Sequence, residues 1–265
     1  MTQTGRKYFF FDIDGTLTDP KTKQPVPSAV EAIHELQKAG HFVAVATGRA
    51  HYKAISFIEK IGVEHMVCGG GAGIVYNHRL IYNKPLDAER VCSFLAHAEE
   101  EKRGFLLMLD DSDSCYMKDF RFLEQVGLRR EPTHYIYMPE LDSARLPDVY
   151  KVYLPLADAD TVHRSWIDLL PYLRMTKDYV VCQYDAKREG ILRMLEYING
   201  REEDVVVFGD DKNDIDMFSG NWFTVAMGNG IDALKKMASY TTDSSVDNGI
   251  WNACVKNGWF DGSLR

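Results

Sequence analysis

The chain has 265 residues, 45% of them hydrophobic and 26% charged, which suits one large or two modest globular domains and excludes disorder, collagen-like repeats and a coiled-coil rod. Its 31 basic and 39 acidic side chains give a net charge of −8, so the average surface repels phosphate backbones and anionic lipid, and neither nucleic acid nor a membrane is an expected partner. Five widely spread cysteines without CxxC spacing, no long apolar segment and no signal-like leader make a reducing cytoplasm the expected location.

In chain order, Tyr8–Phe11 is an uninterrupted apolar run, as a strand covered on both faces requires. A loop with three prolines, Asp19 to Pro27, follows; Ser28 with Glu31 three residues on then reads as a capping box opening a helix. Val30, Ile33 and Leu36 recur at helical spacing, Gly40 ends that helix, and Phe42–Ala46 is a second buried strand. A helix over Ala50–Ile61, a strand at Met66–Cys68 and a hairpin turning at Asn77-His78 come next. The glycine run Gly69–Gly73 lacks GxGxxG spacing and reads as a tight turn.

From residue 84 the texture changes to aromatic-rich strands, such as Phe105–Leu109 and Tyr150–Leu156, among charged helices. The expectation is an inserted α+β cap domain over 84–184 and a Rossmann-like, doubly wound α/β core over 1–83 and 185–265. In the second core segment Ile191, Met194, Leu195 and Ile198 share a helical face, Gly200 reads as its stop, and Val205–Phe208 is another buried strand.

Three buried strands therefore end in polar clusters: Asp12-Ile13-Asp14-Gly15-Thr16, Thr47-Gly48-Arg49 and Gly209-Asp210-Asp211-Lys212-Asn213-Asp214. In an open parallel sheet, ligands bind beyond the carboxyl ends of the strands, so these clusters are expected to converge. Asp12, Asp14, Asp210 and Asp214 in one crevice would repel unless a divalent cation joined them, and an all-oxygen donor set favours Mg2+ with a phosphate completing its octahedron.

With FFFDIDGTLTD at 9–19, ATGR at 46–49, DAKREGI at 185–191 and VVVFGDDKNDIDMF at 205–218, the whole chain resembles the haloacid dehalogenase superfamily. The specific likeness is to its Cof-type phosphatase branch, which carries a large α/β cap. The resemblance implies that Asp12 is a nucleophile forming an aspartyl-phosphate and that Asp14 is the acid and base. It implies that Lys187 neutralises the nucleophile and the transferring group, and that Thr47, Gly48, Arg49 and Asn213 contact the substrate. Asp12, Asp14 (through its carbonyl), Asp210 and Asp214 (through the water shell) would hold Mg2+. The expected partner is a small phosphorylated metabolite, in particular a sugar phosphate, and the expected state a monomer or weak homo-oligomer.

Plainer roles compete at several positions. A lone DxD is more often a loop feature, Thr47 alone would be an ordinary helix cap, and Asn213 and Asp214 could cap the following helix. Asp211 and Lys212 read as solvated, Trp222, Trp251 and Trp259 as core, and the eight histidines show no metal-binding spacing. Two departures from the family stand out. Gly70 occupies the usual asparagine position, and Arg188 rather than glycine follows the lysine. His134, Tyr135, Tyr137, Asp110 and Asp113 are candidates for specificity within the cap. A phosphomutase of the same superfamily and a non-catalytic phosphometabolite-binding regulatory module remain the alternatives.

Overall fold

The computed structural model describes residues 5–157, 165–174 and 176–261. In chain order the elements begin with β1 (Tyr8–Phe11), α1 (Pro27–Lys38), β2 (Phe42–Ala46), α2 (His51–Lys60), β3 (Met66–Cys68), β4 (Gly73–Tyr76) and β5 (Arg79–Asn83). They continue with α3 (Ala88–Glu100), β6 (Leu106–Met108), β7 (Ser114–Met117), α4 (Arg121–Val126), β8 (His134–Tyr137), β9 (Lys151–Pro155), β10 (Tyr172–Arg174) and β11 (Tyr179–Cys182). The last stretch holds α5 (Lys187–Ile198), β12 (Val205–Gly209), β13 (Phe223–Ala226), α6 (Asp232–Met237), β14 (Tyr240–Thr241) and α7 (Gly249–Lys256). The chain divides into two compact units, residues 1–83 with 186–265, and residues 84–185.

The first unit is built on an eight-stranded sheet in the order β14-β13-β12-β1-β2-β3-β4-β5. It is parallel from β14 to β3 and antiparallel through the β4–β5 hairpin. β1 lies in the middle because both of its faces are apolar: Phe9, Phe10 and Phe11 are all 0% exposed. Phe9 and Phe11 join one core layer with Ile33, Leu36, Ile58 and Trp251, while Phe10 joins the opposite layer with Ile191, Met194, Leu195 and Trp222. Burying each such phenylalanine contributes about 1.5–3 kcal/mol, so the central strand is a rigid base for whatever its end carries.

Local signals differ from the sequence expectation at two helix ends. α1 starts at Pro27, with Val26 as its N-cap and no side-chain cap, rather than with a Ser28–Glu31 capping box. Proline at the first helical position has its dihedral preset and no N–H to satisfy, so the helix begins two residues earlier than the cap would place it. α5 ends on Asn199, which takes the left-handed conformation at φ 51°, rather than on Gly200. Asparagine tolerates that region, and a Cβ on Gly200 would crowd the Leu195 and Tyr8 side chains.

The second unit, described by itself, is a six-stranded sheet in the order β10-β11-β9-β6-β7-β8, antiparallel except for the β7–β8 pair. α3 packs its Val91, Phe94, Leu95 and Ala98 face with Leu107, Val152, Leu154 and Val180 of the sheet. Arg129 is buried here, with its guanidinium 3.9 Å from the Tyr153 ring centroid. Among the described residues no helix is long and apolar enough to cross a membrane.

Candidate active site

Asp12, Thr47 and Asp210 follow immediately on β1, β2 and β12, three neighbouring strands that all point the same way. The Asp12 N–H donates to Phe208 O at 3.0 Å, which continues the β1–β12 ladder by one residue and fixes the start of the loop. After Asp12 the chain turns helical, broken at Asp14 (φ −81°, ψ 102°) and Gly15 (φ 92°). Glycine is needed at 15 twice over: the positive φ disfavours a side chain, and a Cβ would overlap the Asp210 carboxylate. Thr16 Oγ1 donates to Asp210 Oδ1 at 2.9 Å across the gap so opened. Asn229 Nδ2 donates to Gly15 O at 2.8 Å, while Asn229 Oδ1 accepts from Ser245 N–H, so a third loop braces the turn.

Lys187 lies at the first turn of α5 with its side chain fully buried. Its Nζ donates to Asp12 Oδ1 and to Asp214 Oδ1, both at 2.6 Å. A buried ammonium shared by two buried carboxylates offsets one of their two negative charges and leaves the cluster net negative. The other oxygen of Asp214 accepts the backbone N–H groups of Asp210 and Asp211 at 2.9 and 3.1 Å. Asp214 is thus half of a capping box with Asp211, opening the helical segment 212–218. Asp211, expected to be merely solvated, has a structural task as well.

The glycine run explains how Lys187 reaches the site. Gly69, Gly70 and Gly71 form a short 3-10 turn, all with positive φ. Gly70 O accepts from Ala186 N–H at 2.8 Å. A Cβ on Gly71 would overlap Ala186 O, and one on Gly190 would overlap Val67 and crowd Gly71. The run lets the α5 N-terminus approach β3 more closely than any side chain would allow. Gly70, in the usual asparagine position, contributes backbone rather than side chain.

Of the other expected residues, Thr47 is buried, and its Oγ1 accepts from Arg49 N–H at 3.1 Å. Arg49 forks onto Asp14, with Nε to Oδ2 at 2.9 Å and Nη2 to Oδ1 at 2.6 Å. Gly48 sits in the β2–α2 turn between these two, and Asn213 is half-buried in the segment 212–218. Arg188 donates its backbone N–H to Asp216 at 2.8 Å and its Nη1 to Ser219 O at 2.7 Å, and its guanidinium lies 4.3 Å from the Trp222 ring centroid. The residue that departs from the family pattern therefore ties α5 to the 212–219 segment. In the second unit His134 pairs with Asp113 at 3.3 Å and Tyr116 OH donates to Asp110, contacts internal to that unit.

Asp12, Asp210 and Asp214 place one carboxylate oxygen each within 4.8 Å of one another. Burial and the charge of Asp214 push the Asp12 carboxyl up to about 8, against the lowering pull of Lys187. Burial and the charges of Asp214 and Asp211 push Asp210 up to about 6, although its bond from Thr16 pulls the other way. Lys187 is held protonated: burial opposes the charge, but Asp12 and Asp214 together overcome it. One cation among these carboxylates leaves the negative charge in excess, and the donors are all oxygens, so the cluster fits a hard divalent cation.

Residues 9–254 match the haloacid dehalogenase-like hydrolases. YkrA of Bacillus subtilis (strain 168), whose name describes it as a candidate phosphatase, is 29% identical over 250 residues, covering 92% of this chain and 95% of that protein. YitU of the same organism, named a 5-amino-6-(5-phospho-D-ribitylamino)uracil phosphatase, is 25% identical over 257 residues, covering 90% of this chain and 93% of YitU. The crystal structure of a hypothetical protein from Geobacillus kaustophilus HTA426 superposes with a TM-score of 0.80 at 26% identity, covering 97% of this chain and all of that one.

Proposed function

The chain belongs to the haloacid dehalogenase-like hydrolases and is one of the family's phosphatases, and we propose that it hydrolyses small phosphate monoesters through an aspartyl-phosphate on Asp12. The observation that carries this reading is the buried Asp12–Lys187–Asp214 cluster, with Asp210 beside it at the ends of adjacent parallel strands. Asp12 has one oxygen held by Lys187, which restricts rotation of the carboxylate for attack on phosphorus. As the Asp12 oxygen bonds to phosphorus, the ester P–O bond breaks, and Asp14, protonated on an oxygen that has left the Arg49 fork, gives that proton to the departing alcohol oxygen. Asp14, now ionised, takes a proton from the water that attacks phosphorus, releasing inorganic phosphate and restoring the Asp12 carboxylate. Lys187 offsets negative charge on Asp12 throughout, and Thr16 and Asn229 hold the loop that keeps Asp14 and Asp210 in register.

Asp12 and Asp210, with the Asp14 carbonyl, would hold Mg2+, and Asp214 would orient them from behind because its oxygens already accept from Lys187 and the 210–211 backbone. When bound, the ion supplies charge neutralisation for the phosphoryl oxygens. A phosphate on a sugar or polyol chain is the favoured substrate class, in keeping with the phosphoribityl compound in the name of YitU. The test is phosphate release from sugar phosphates, polyol phosphates, nucleotides and pyridoxal phosphate, with Mg2+ and with EDTA. Mg2+-dependent release from sugar or polyol phosphates is expected; tight phosphate binding without turnover on any compound contradicts the enzyme reading in favour of a regulatory module.

A further inference from the structure

We propose that Arg49 is a positioning residue for Asp14, acting through the acid and base rather than on the phosphate. The proposal rests on the phosphatase reading of the site and names a task within it. Asp14 is the least confined of the site's carboxylates: its side chain is 47% exposed, whereas Asp12 is 5% and Asp214 0% exposed. It sits in a broken helical turn with extended-type dihedrals, where a short carboxylate has several rotamers open to it. Proton transfer demands that it occupy one of them, within hydrogen-bond reach of the ester oxygen and of the incoming water.

Arg49 supplies that restriction. Its two contacts reach both oxygens of Asp14 at 2.9 and 2.6 Å, so they set the carboxylate plane as well as its distance. The arginine is itself anchored. Its N–H donates to Thr47 Oγ1, its carbonyl accepts from Gly69 N–H at 2.7 Å, and its guanidinium lies 5.5 Å from the Phe57 ring centroid on α2. The result is an arm running from the end of β2 to the carboxylate after β1, with Nε and Nη2 directed at Asp14 rather than held out for an anion.

The experiment measures kcat/KM for wild type, Arg49→Ala, Arg49→Lys, Asp14→Asn and the double variant Arg49→Ala with Asp14→Asn. Two esters are compared, p-nitrophenyl phosphate, whose leaving group needs little protonation, and an alkyl ester such as ribitol 5-phosphate, whose alkoxide needs it badly. kcat/KM covers the steps through loss of the leaving group, so it isolates the first proton transfer. If Arg49 works through Asp14, Arg49→Ala lowers kcat/KM on the alkyl ester by roughly tenfold to a hundredfold and on p-nitrophenyl phosphate by no more than about threefold. The double variant is then no slower than Asp14→Asn alone, inhibition by inorganic phosphate is unchanged, and Arg49→Lys, which keeps charge but not the fork, fails to restore the alkyl ester.

Equal losses on both esters with weakened phosphate inhibition, or losses that multiply in the double variant, overturn the proposal and make Arg49 a phosphate contact. Full rescue by lysine overturns it too. A wild type that releases phosphate from neither ester overturns the phosphatase reading first, and the role of Arg49 with it.

Discussion

Replacing Lys187 with methionine removes the ammonium while keeping the length and much of the volume of the side chain, and it leaves Asp12 and Asp214 facing each other in the interior. In the structure Nζ sits 2.6 Å from an oxygen of each, with Lys187 and Asp214 fully buried and Asp12 nearly so. Deleting one partner of a buried ion cluster costs about 3–5 kcal/mol, because the charges left behind lose compensation but not their desolvation. For a chain of this size that corresponds to a fall of roughly 6–20 °C in the unfolding midpoint, at about 2–4 °C per kcal/mol. The assay is thermal and urea unfolding in EDTA at pH 9 and at pH 6. The loss should be greatest at pH 9 and should shrink at pH 6, where protonation of Asp12, already pushed up to about 8, relieves the strain. Adding Asp214→Asn to Lys187→Met should recover part of the stability and none of the turnover. A Lys187→Met protein as stable as wild type at pH 9, or one further destabilised by Asp214→Asn, refutes the charge-compensation argument.

Other consequences follow from the same geometry. Gly15→Ala should lower Mg2+ affinity and phosphate release at least tenfold while leaving the fold intact by circular dichroism, since the new methyl overlaps the Asp210 carboxylate and the backbone φ of 92° costs a further 1–2 kcal/mol or so. In EDTA the stability should fall as pH rises from about 4 towards 6: Asp210 is raised from 3.8 to about 6, so the folded state holds more protons than the unfolded one across that window. Mg2+ competes with that proton, so its affinity, measured by calorimetry, should strengthen as pH rises through 6; a pH-independent affinity contradicts the assignment of Asp210 as a ligand. Arg188→Ala, which releases Ser219 O and the Trp222 face, should lower kcat severalfold with little change in KM, because it loosens α5 against the 212–219 segment without touching substrate. A change in KM alone counts against that role.

The central part of this fold was legible because buried parallel strands announce themselves. Tyr8–Phe11, Phe42–Ala46 and Val205–Phe208 are apolar on both faces and stop at polar residues, and their shared direction brings Asp12, Thr47 and Asp210 to one edge. Lys187 was legible only by resemblance, since a lone lysine opening a helix carries no signal that it meets an aspartate 175 residues earlier. Thr16, although it lies in the first polar cluster, and Asn229 carry no local sign of their tasks for a similar reason: their partners, the Asp210 carboxylate and the Gly15 carbonyl, lie about two hundred residues away in sequence. Nothing in the sequence around Asn229 marks it as a brace. The glycine run reads as a turn from sequence, yet its use depends on the neighbouring helix, because close approach is a property of two segments. The Ser28 cap failed where two local rules competed and the proline at position 27 prevailed.

The most direct test of the mechanism is to look for phosphate on Asp12 itself. Wild type and Asp12→Asn are mixed with a 32P-labelled sugar or polyol phosphate and Mg2+, quenched in acid within milliseconds, and assayed for protein-bound label that hydroxylamine removes. Label on wild type, mapping to the peptide that contains Asp12 and absent from a folded Asp12→Asn protein that also shows no turnover, is the expected result. Turnover that survives in Asp12→Asn, or label that maps elsewhere, contradicts it.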